Sequence, residues 1–324
     1  MSEQNVKKKS VVSAILSKKE SGAAIPLIAL MIAVACVNQN FFGIFNLMDV
    51  LRTASFSLMV AVPVTFLIAS GGLDLSVGAC ISLGGVVCGN AIKAGIPIPF
   101  AIVLSVLTGL VVGLFNGICV VHFSLPGFIA TLGTQYCING IINVWTSGLS
   151  ISNLPKVFTQ LGQFRIGGYV SLPIIYALVI AIIGHVLLSY AKFGRKVLAV
   201  GGNAETARLA GISVKRTRIM TYMAVSAFAA LTGVIYGARF ATVQPTIGTG
   251  TEMTIMAAVI VGGTSMMGGV GTIIGTALGC FLLASITNVL IMMEVSSYWQ
   301  PFIFGLILIV SLFIDRYRQR ILKA

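Results

Sequence analysis

Apolar runs about as long as a membrane is thick recur along this chain, and they decide what it can fold into. A helix needs about 20 apolar residues to cross a bilayer. Ten runs come near that: residues 22–38, 47–70, 75–92, 97–121, 125–146, 170–190, 218–238, 252–267, 270–291 and 297–314. Hydrophobic residues make up 57% of the sequence and charged residues 9%, which leaves too little polar surface to cover a water-soluble fold of this size. The expected fold class is an all-α integral membrane protein with about ten transmembrane helices. The runs at 75–92 and 252–267 are the weakest. A broken or re-entrant segment is tolerated only where its backbone is buried in protein or lines a wet cavity.

The charges give an orientation. Five lysines precede the first run, seven Lys and Arg lie in 192–218, and four follow Asp315, so sixteen of the 21 fall on one side when the runs alternate. The positive-inside rule makes that side cytoplasmic and places both termini there, with six runs before the 192–218 segment and four after it. The net charge of +13 then reflects topology and anionic lipid head groups rather than nucleic acid. The expected organisation is a basic cytosolic segment over 1–21, one membrane domain over 22–314 with a cytosolic loop at 191–218, and a cytosolic tail over 315–324. The run from Ala23 to Val37 sits behind basic residues like a secretory leader, and AVAC at 33–36 resembles a lipoprotein cleavage site. Ala33 fits that site poorly and nine more runs follow, so the run reads as an uncleaved first span. The six cysteines show no paired spacing and read as small packing residues.

Catalytic signatures are absent. There is no GxxxxGK[ST] with which to hold ATP, and no HExxH, CxxC or GxSxG. The glycines of GVGTIIG within 262–275 are spaced one residue too long for a dinucleotide site. His122 and His185 read as interfacial or packing residues. No enzyme and no cofactor in this chain are expected, so uphill movement of a solute must draw on an ion or on a partner protein. An ion-coupled carrier keeps several ionisable groups at membrane depth. Here Asp74 alone of the eight acids lies between two closely coupled apolar runs, and Asp49 and Arg52 can pair at a rim. Ion coupling is therefore disfavoured, although sodium sites made of carbonyls and hydroxyls are compatible with the sequence.

The segment KFGRKVLAVGGNAETARLAGISVKRTR, 192–218, is a polar and basic island with helix punctuation of its own. Asn203 can cap a helix over Ala204 to Ala210, and Gly211 can end it. A short cytosolic helix between spans is a surface on which a separate motor protein can push. Asp74 sits in ASGGLDLSVGACISLGG, where Gly71 and Gly72 break the helix and Asp74 or Ser76 can cap the next one. It is read both as an interhelical turn and as a break lining a pathway. GGTSMMGGVG at 262–271 has a similar composition, which hints at a duplicated span-turn-span unit.

Glycines at 109, 113 and 117, and again at 271, 275 and 279, write close helix packing faces. Thr131, Thr134, Gln135, Asn139 and Asn143 lie in the fifth run and Asn288 in the ninth. Gln135, Asn139 and Asn143 share one helical stripe. Uncharged amides and hydroxyls suit a neutral polyhydroxylated solute, and they equally suit interhelical hydrogen bonds in a static bundle.

GGLDLSVG at 71–78, LPGFIATLGT at 125–134, the 193–218 segment, QPTIGTGTEMTIMAAVIVGGTSMMGGVGTIIGTALG at 244–279 and SSYWQ at 296–300 together resemble the permease subunit of bacterial ABC importers for monosaccharides of the ribose, xylose and galactose type. The likeness covers nearly the whole chain beyond its charged start. It implies an inner-membrane, multi-pass transport subunit that works with a second permease copy, identical or paralogous. It also implies a cytosolic ATPase that binds the nucleotide and a periplasmic sugar-binding protein. Gly201, Gly202, Asn203, Ala204, Glu205, Ala207, Arg208, Leu209, Ala210 and Gly211 match the coupling helix that such permeases seat in the ATPase. Asp74, Ser76, Thr131, Gln135, Asn139, Asn143 and Asn288 are the expected pathway residues. Another polar cargo, such as a sugar alcohol, inositol or a furanosyl signalling molecule, is compatible with the same motifs. The related branched-chain amino acid class is disfavoured by GGLDLSVG, and a secondary carrier by the scarcity of acids.

Overall fold

The computed structural model describes residues 21–37, 39–296, 298–307 and 309. The basic N-terminal segment, the C-terminal tail and much of the run at 297–314 lie outside these residues. Twelve α-helices are bounded among them: α1 Ser21–Val37, α2 Ile44–Ala69, α3 Val77–Lys93, α4 Ile98–Val121, α5 Gly127–Thr146, α6 Lys156–Gln163, α7 Leu172–Ser189, α8 Lys192–Gly202, α9 Ala204–Leu209, α10 Val214–Phe240, α11 Thr251–Val261 and α12 Ile273–Met292. Residues 299–307 are also helical. The only sheet among the described residues is a small antiparallel hairpin, β1 Arg165–Ile166 with β2 Val170–Ser171. Five helices, α2, α4, α7, α10 and α12, are long and apolar enough to cross a membrane. The protein is helical and built for a bilayer.

The two weak runs fold differently: 75–92 is one continuous helix, α3, entered through the non-helical 71–76, whereas 252–267 stays helical only to Val261. α3 is wrapped on every side, with all of its residues buried except Asn90 and Lys93. α11 has 11 residues, about 16 Å at 1.5 Å per residue, roughly half of a hydrocarbon core. The segment 191–218 also differs from a loop carrying one helix. It holds α8, α9 and the first turn of α10, so Arg216 and Arg218 are helical.

α10 is the central post, packed on α2, α3 and α4. The glycine stripe of α4 makes this possible within one chain. A Cβ on Gly109 would meet the Ser226 carbonyl at 2.4 Å, and one on Gly113 would meet the Cα of Met223 at 2.5 Å. Gly275 and Gly279 of α12 lie against Gly262 and Ala258 in the same way, so α12 packs on α11.

α10 also measures depth. Near its start Arg218 Nε donates to the Ser70 carbonyl at the end of α2 (3.3 Å), and one turn on the Tyr222 hydroxyl donates to the Leu73 carbonyl (3.0 Å). Ala230 stands against Gly84, about 18 Å beyond Arg218 along the helix. The non-helical stretch 71–76 therefore climbs inward from the end that carries α8 and α9, and α3 starts inside the protein. At the opposite end Arg52 pairs with Asp49 (2.8 Å), Arg165 approaches Asp49 (4.0 Å), and Arg239 lies over the Phe56 ring (5.1 Å).

Candidate translocation and coupling site

The 203–211 segment folds as its punctuation dictates. The Asn203 side chain accepts the Thr206 amide (2.9 Å) and caps α9, which satisfies one of the free N–H groups of the first turn. The Gly211 amide donates to Arg208 (3.0 Å) and the Ile212 amide to Ala207 (3.0 Å), with Gly211 at φ +79°, a left-handed stop that favours glycine. α9 ends at Leu209, one residue short of Ala210. Ala207 is buried, Ala204 is half-buried, and the rest of the helix faces outward. Arg208 grips Glu205 with two hydrogen bonds (2.6 and 3.1 Å), and its guanidinium holds the Glu205 carboxyl below the usual carboxylate range. Leu209 beside them is 76% exposed, a lone large apolar side chain on a polar helix.

α8 joins α9 to the interior through bare backbone. The Gly269 amide donates to the Ala69 carbonyl (2.9 Å), and Gly201 fits into the corner they make. A Cβ there would lie 1.8 Å from the Ala69 oxygen and 2.5 Å from the Gly269 nitrogen. Gly268 stacks on Gly201 in turn. The end of α2, the end of α8 and the 262–271 loop thus meet at one point, next to the start of α9.

Asp74 and Ser76 are buried on the climbing stretch. Thr134 donates to the Asn116 carbonyl oxygen (2.7 Å), Asn116 to the Ser76 hydroxyl (2.9 Å), and Ser76 to Asp74 Oδ1 (2.6 Å). Every donor points toward the carboxylate, so each bond polarises the next. Asp74 Oδ1 also accepts the Ser76 amide (2.8 Å), and Thr131 accepts the Leu75 amide (2.9 Å). This corrects the expectation that Asp74 or Ser76 caps α3 with its side chain. Ser76 occupies the cap position but its hydroxyl is spent on Asp74. Asp74 Oδ2 has no partner among the described residues.

The remaining pathway candidates are placed differently. Gln135 donates to Glu252 Oε1 (3.2 Å), Asn139 is half-buried and Asn143 exposed on the same face of α5. Asn288 exchanges two hydrogen bonds with Asn46 (3.1 and 2.8 Å), so its amide ties α12 to α2. Glu252 corrects the reading of Asp74 as the single acid at depth: it is 7% exposed, at the start of α11. A Cβ on Gly78 would meet its free oxygen Oε2 and the Gly248 carbonyl at 2.3 and 2.4 Å. α3 and α11 therefore begin side by side in the interior, entered from opposite ends by 71–76 and by 242–250. The signal for the second break was present in Pro245, Gly248 and Gly250.

A family model described as the branched-chain amino acid transport system / permease component matches residues 46–312. The chain belongs to this permease family. Among curated proteins it is 32% identical to the ribose import permease protein RbsC of Haemophilus influenzae over 302 residues, 92% of this chain and 93% of that protein. The ribose import permease protein RbsC of Escherichia coli strain K12 is 32% identical over 306 residues, 93% and 94% of the two chains. The autoinducer 2 import system permease protein LsrC of Salmonella typhi is 32% identical over 301 residues, 93% and 86%. No solved structure matches. A permease component is a transport subunit and not an enzyme, in keeping with a chain that carries no phosphate loop. In a permease the two interior breaks are the features to explain, because non-helical backbone at depth must line protein or water.

Proposed function

We propose that this chain is the membrane subunit of an ATP-driven importer that passes a monosaccharide, of ribose-like size and polarity, into the cytoplasm. The basic end with α8 and α9 is cytoplasmic, and both termini lie there. A separate ATPase binds the nucleotide and seats α9, Ala204–Leu209, with the flanking Asn203 and Gly211, in a groove. A periplasmic binding protein delivers the solute to the opposite end, and a second permease, identical or paralogous, completes the pathway. The setting is the bacterial inner membrane, with lipid around the apolar flanks of α4, α5 and α7, in one domain over 22–314.

The observation that carries this reading is the backbone junction at Gly201. ATP closure moves α9, and α8 passes that displacement to Ala69, which precedes the 71–76 break, and to Gly268 and Gly269, which follow α11. Energy reaches the pathway only through contacts that differ between the two states, and the junction touches the chain just before the 71–76 break and just after α11. Asp74, Ser76 and Thr131 set the shape of the inner break, while Gln135, Asn139 and Asn143 offer uncharged hydrogen-bonding groups along α5. Asn288 holds α12 to α2.

The test is ATP hydrolysis and solute uptake by the assembled importer in proteoliposomes, with a panel of loaded binding proteins. Stimulation by one loaded binding protein, lost when 203–211 is disrupted, is the expected result. Uptake that survives ATP depletion would return the chain to a secondary carrier. A furanosyl signal is the second reading, favoured by the equal 32% identity to the autoinducer 2 import permease, and the same panel separates the two.

A further inference from the structure

The chain between α10 and α11 alternates. Val243 and Pro245 are buried while Gln244 and Thr246 are exposed, the two-residue period of an extended strand whose side chains point to opposite faces. Its buried face packs on α3: Val243 lies beside Gly85 and Gly89, and further along the Gly248 amide donates to the Ser82 hydroxyl (3.0 Å). Its other face, Thr242, Gln244 and Thr246, joins Tyr236, Phe240 and Ile247 around a cavity of about 440 Å³. That volume falls within the roughly 300–1,000 Å³ of small-molecule sites.

Exposed amides and hydroxyls beside non-helical backbone, in a cavity near the end opposite α8 and α9, take water or a solute as partner. Among the described residues the Gln244 amide and the Thr246 hydroxyl have none, and the Thr242 hydroxyl donates to the Ile151 carbonyl (3.2 Å). An amide and a hydroxyl each both donate and accept, as the hydroxyls of a sugar do. The aromatic wall offers apolar surface: Tyr236 and Phe240 are nearly parallel (5°) with centroids 6.1 Å apart. No carboxylate, amine, guanidinium or imidazole lines the cavity, and Arg239 sits over the Phe56 and Phe240 rings instead.

We propose that this cavity is a polyol subsite, a waypoint that takes one monosaccharide ring with its C–H face against Tyr236 and Phe240 and its hydroxyls on Gln244, Thr246 and the free lone pairs of Thr242. The proposal rests on the importer reading and adds to it a solute contact inside the permease itself. Three neutral polar groups give weak binding, which a pathway requires, since a solute held tightly would not leave.

The test uses the full chain in lipid nanodiscs with d-ribose as probe and saturation-transfer NMR as readout. A Gln244→Leu/Thr246→Val double variant keeps the volume and removes the hydrogen bonds. The expected result is ribose saturation in the wild type that falls at least threefold in the variant, with the thermal unfolding midpoint unchanged, and slower uptake by the assembled importer at saturating loaded binding protein. Saturation that is equal in both proteins, or none while the importer still takes up ribose, would overturn the subsite and leave the importer standing. Saturation that depends on Gln244 and Thr246 in a chain that supports no ATP-driven uptake would keep the subsite and sink the importer.

Discussion

Gly201→Ala should uncouple the importer, and the structure sets the size of the effect. The added Cβ falls 1.8 Å from the Ala69 oxygen and 2.5 Å from the Gly269 nitrogen, and both are backbone atoms that no rotamer change can move aside. Reaching the 3.0 Å below which real Cβ contacts hardly occur requires a retreat of about 1.2 Å. That shift carries off the acceptor of the Gly269 amide. Overpacking costs about 1–3 kcal/mol and the lost hydrogen bond about 1 kcal/mol, roughly 2–4 kcal/mol together. A bias of that size on a two-state junction changes its population ratio by roughly 30- to 700-fold. Gly202→Ala is the control, because its nearest neighbour is the Gly269 Cα at 4.0 Å. The assay is the ratio of solute taken up to ATP hydrolysed in proteoliposomes, with complex assembly followed by co-purification. Gly201→Ala is expected to assemble, to hydrolyse ATP and to lose most of its uptake, while Gly202→Ala keeps the wild-type ratio. A wild-type ratio in Gly201→Ala, or an equal fall in both variants, would refute the assignment of the junction as the route of coupling.

Four further outcomes are expected. Gly211→Val forces a β-branched residue into φ +79°, costing about 1–2 kcal/mol of backbone strain, and should lower the uptake-to-hydrolysis ratio while membrane insertion is kept; wild-type transport would sink it. Asn203→Ala removes the cap on the Thr206 amide at about 1 kcal/mol, read as faster amide exchange across 204–209. Asn46→Leu and Asn288→Leu each strand the partner amide at about 1–3 kcal/mol; in thermal unfolding the double variant should lose less than the sum, and strict additivity would count against the pair. Arg208 depresses the Glu205 pKa by hydrogen bonding, so the ionic pair is complete above the usual glutamate range and is lost as pH falls through the lowered value. An NMR titration of Glu205 should show a midpoint below that range, moved up by Arg208→Gln, and an unmoved midpoint would exclude the pair in solution.

What could be read in the sequence depended on how local the physics is. The α9 helix was legible because its cap and its stop are decided by side chains three residues away: Asn203 reaches Thr206, and Gly211 needs only its own φ. The long helices were legible because hydropathy over 18 or more residues overwhelms any other signal. Gly109 and Gly113 announced close packing but not the partner, since a small residue shows that a backbone comes near without showing which one. The start of α11 was legible, since the run from 252 begins within one residue of Thr251, but what it packs against was not. Pro245, Gly248 and Gly250 mark the break before it, yet nothing near them in sequence shows that Gly248 meets Gly78. The burial of Glu252 was hidden, because it comes from Gly78 and Gln135, which lie more than a hundred residues away in sequence.

Two breaks entered from opposite ends impose a constraint that one break would not. α3 and α11 begin against each other at Gly78, Gly248 and Glu252, with α3 running toward the far end and α11 toward the end that carries α8 and α9. If a rigid displacement at the basic end moved only the 71–76 stretch, the α3 start would slide past a stationary Gly248. The contacts there are backbone against glycine, where a Cβ would already be 2.0–2.4 Å from its neighbours, and such packing does not deform gradually. Such a displacement would have to reach α11 in step, and the 262–271 loop that ends it offers a route beside the packing of α11 on α2 and α12. Gly201 touches both Ala69 and that loop. In the proposed mechanism one residue seated in this corner keeps the two half-spans in register, and the path from α9 passes through it.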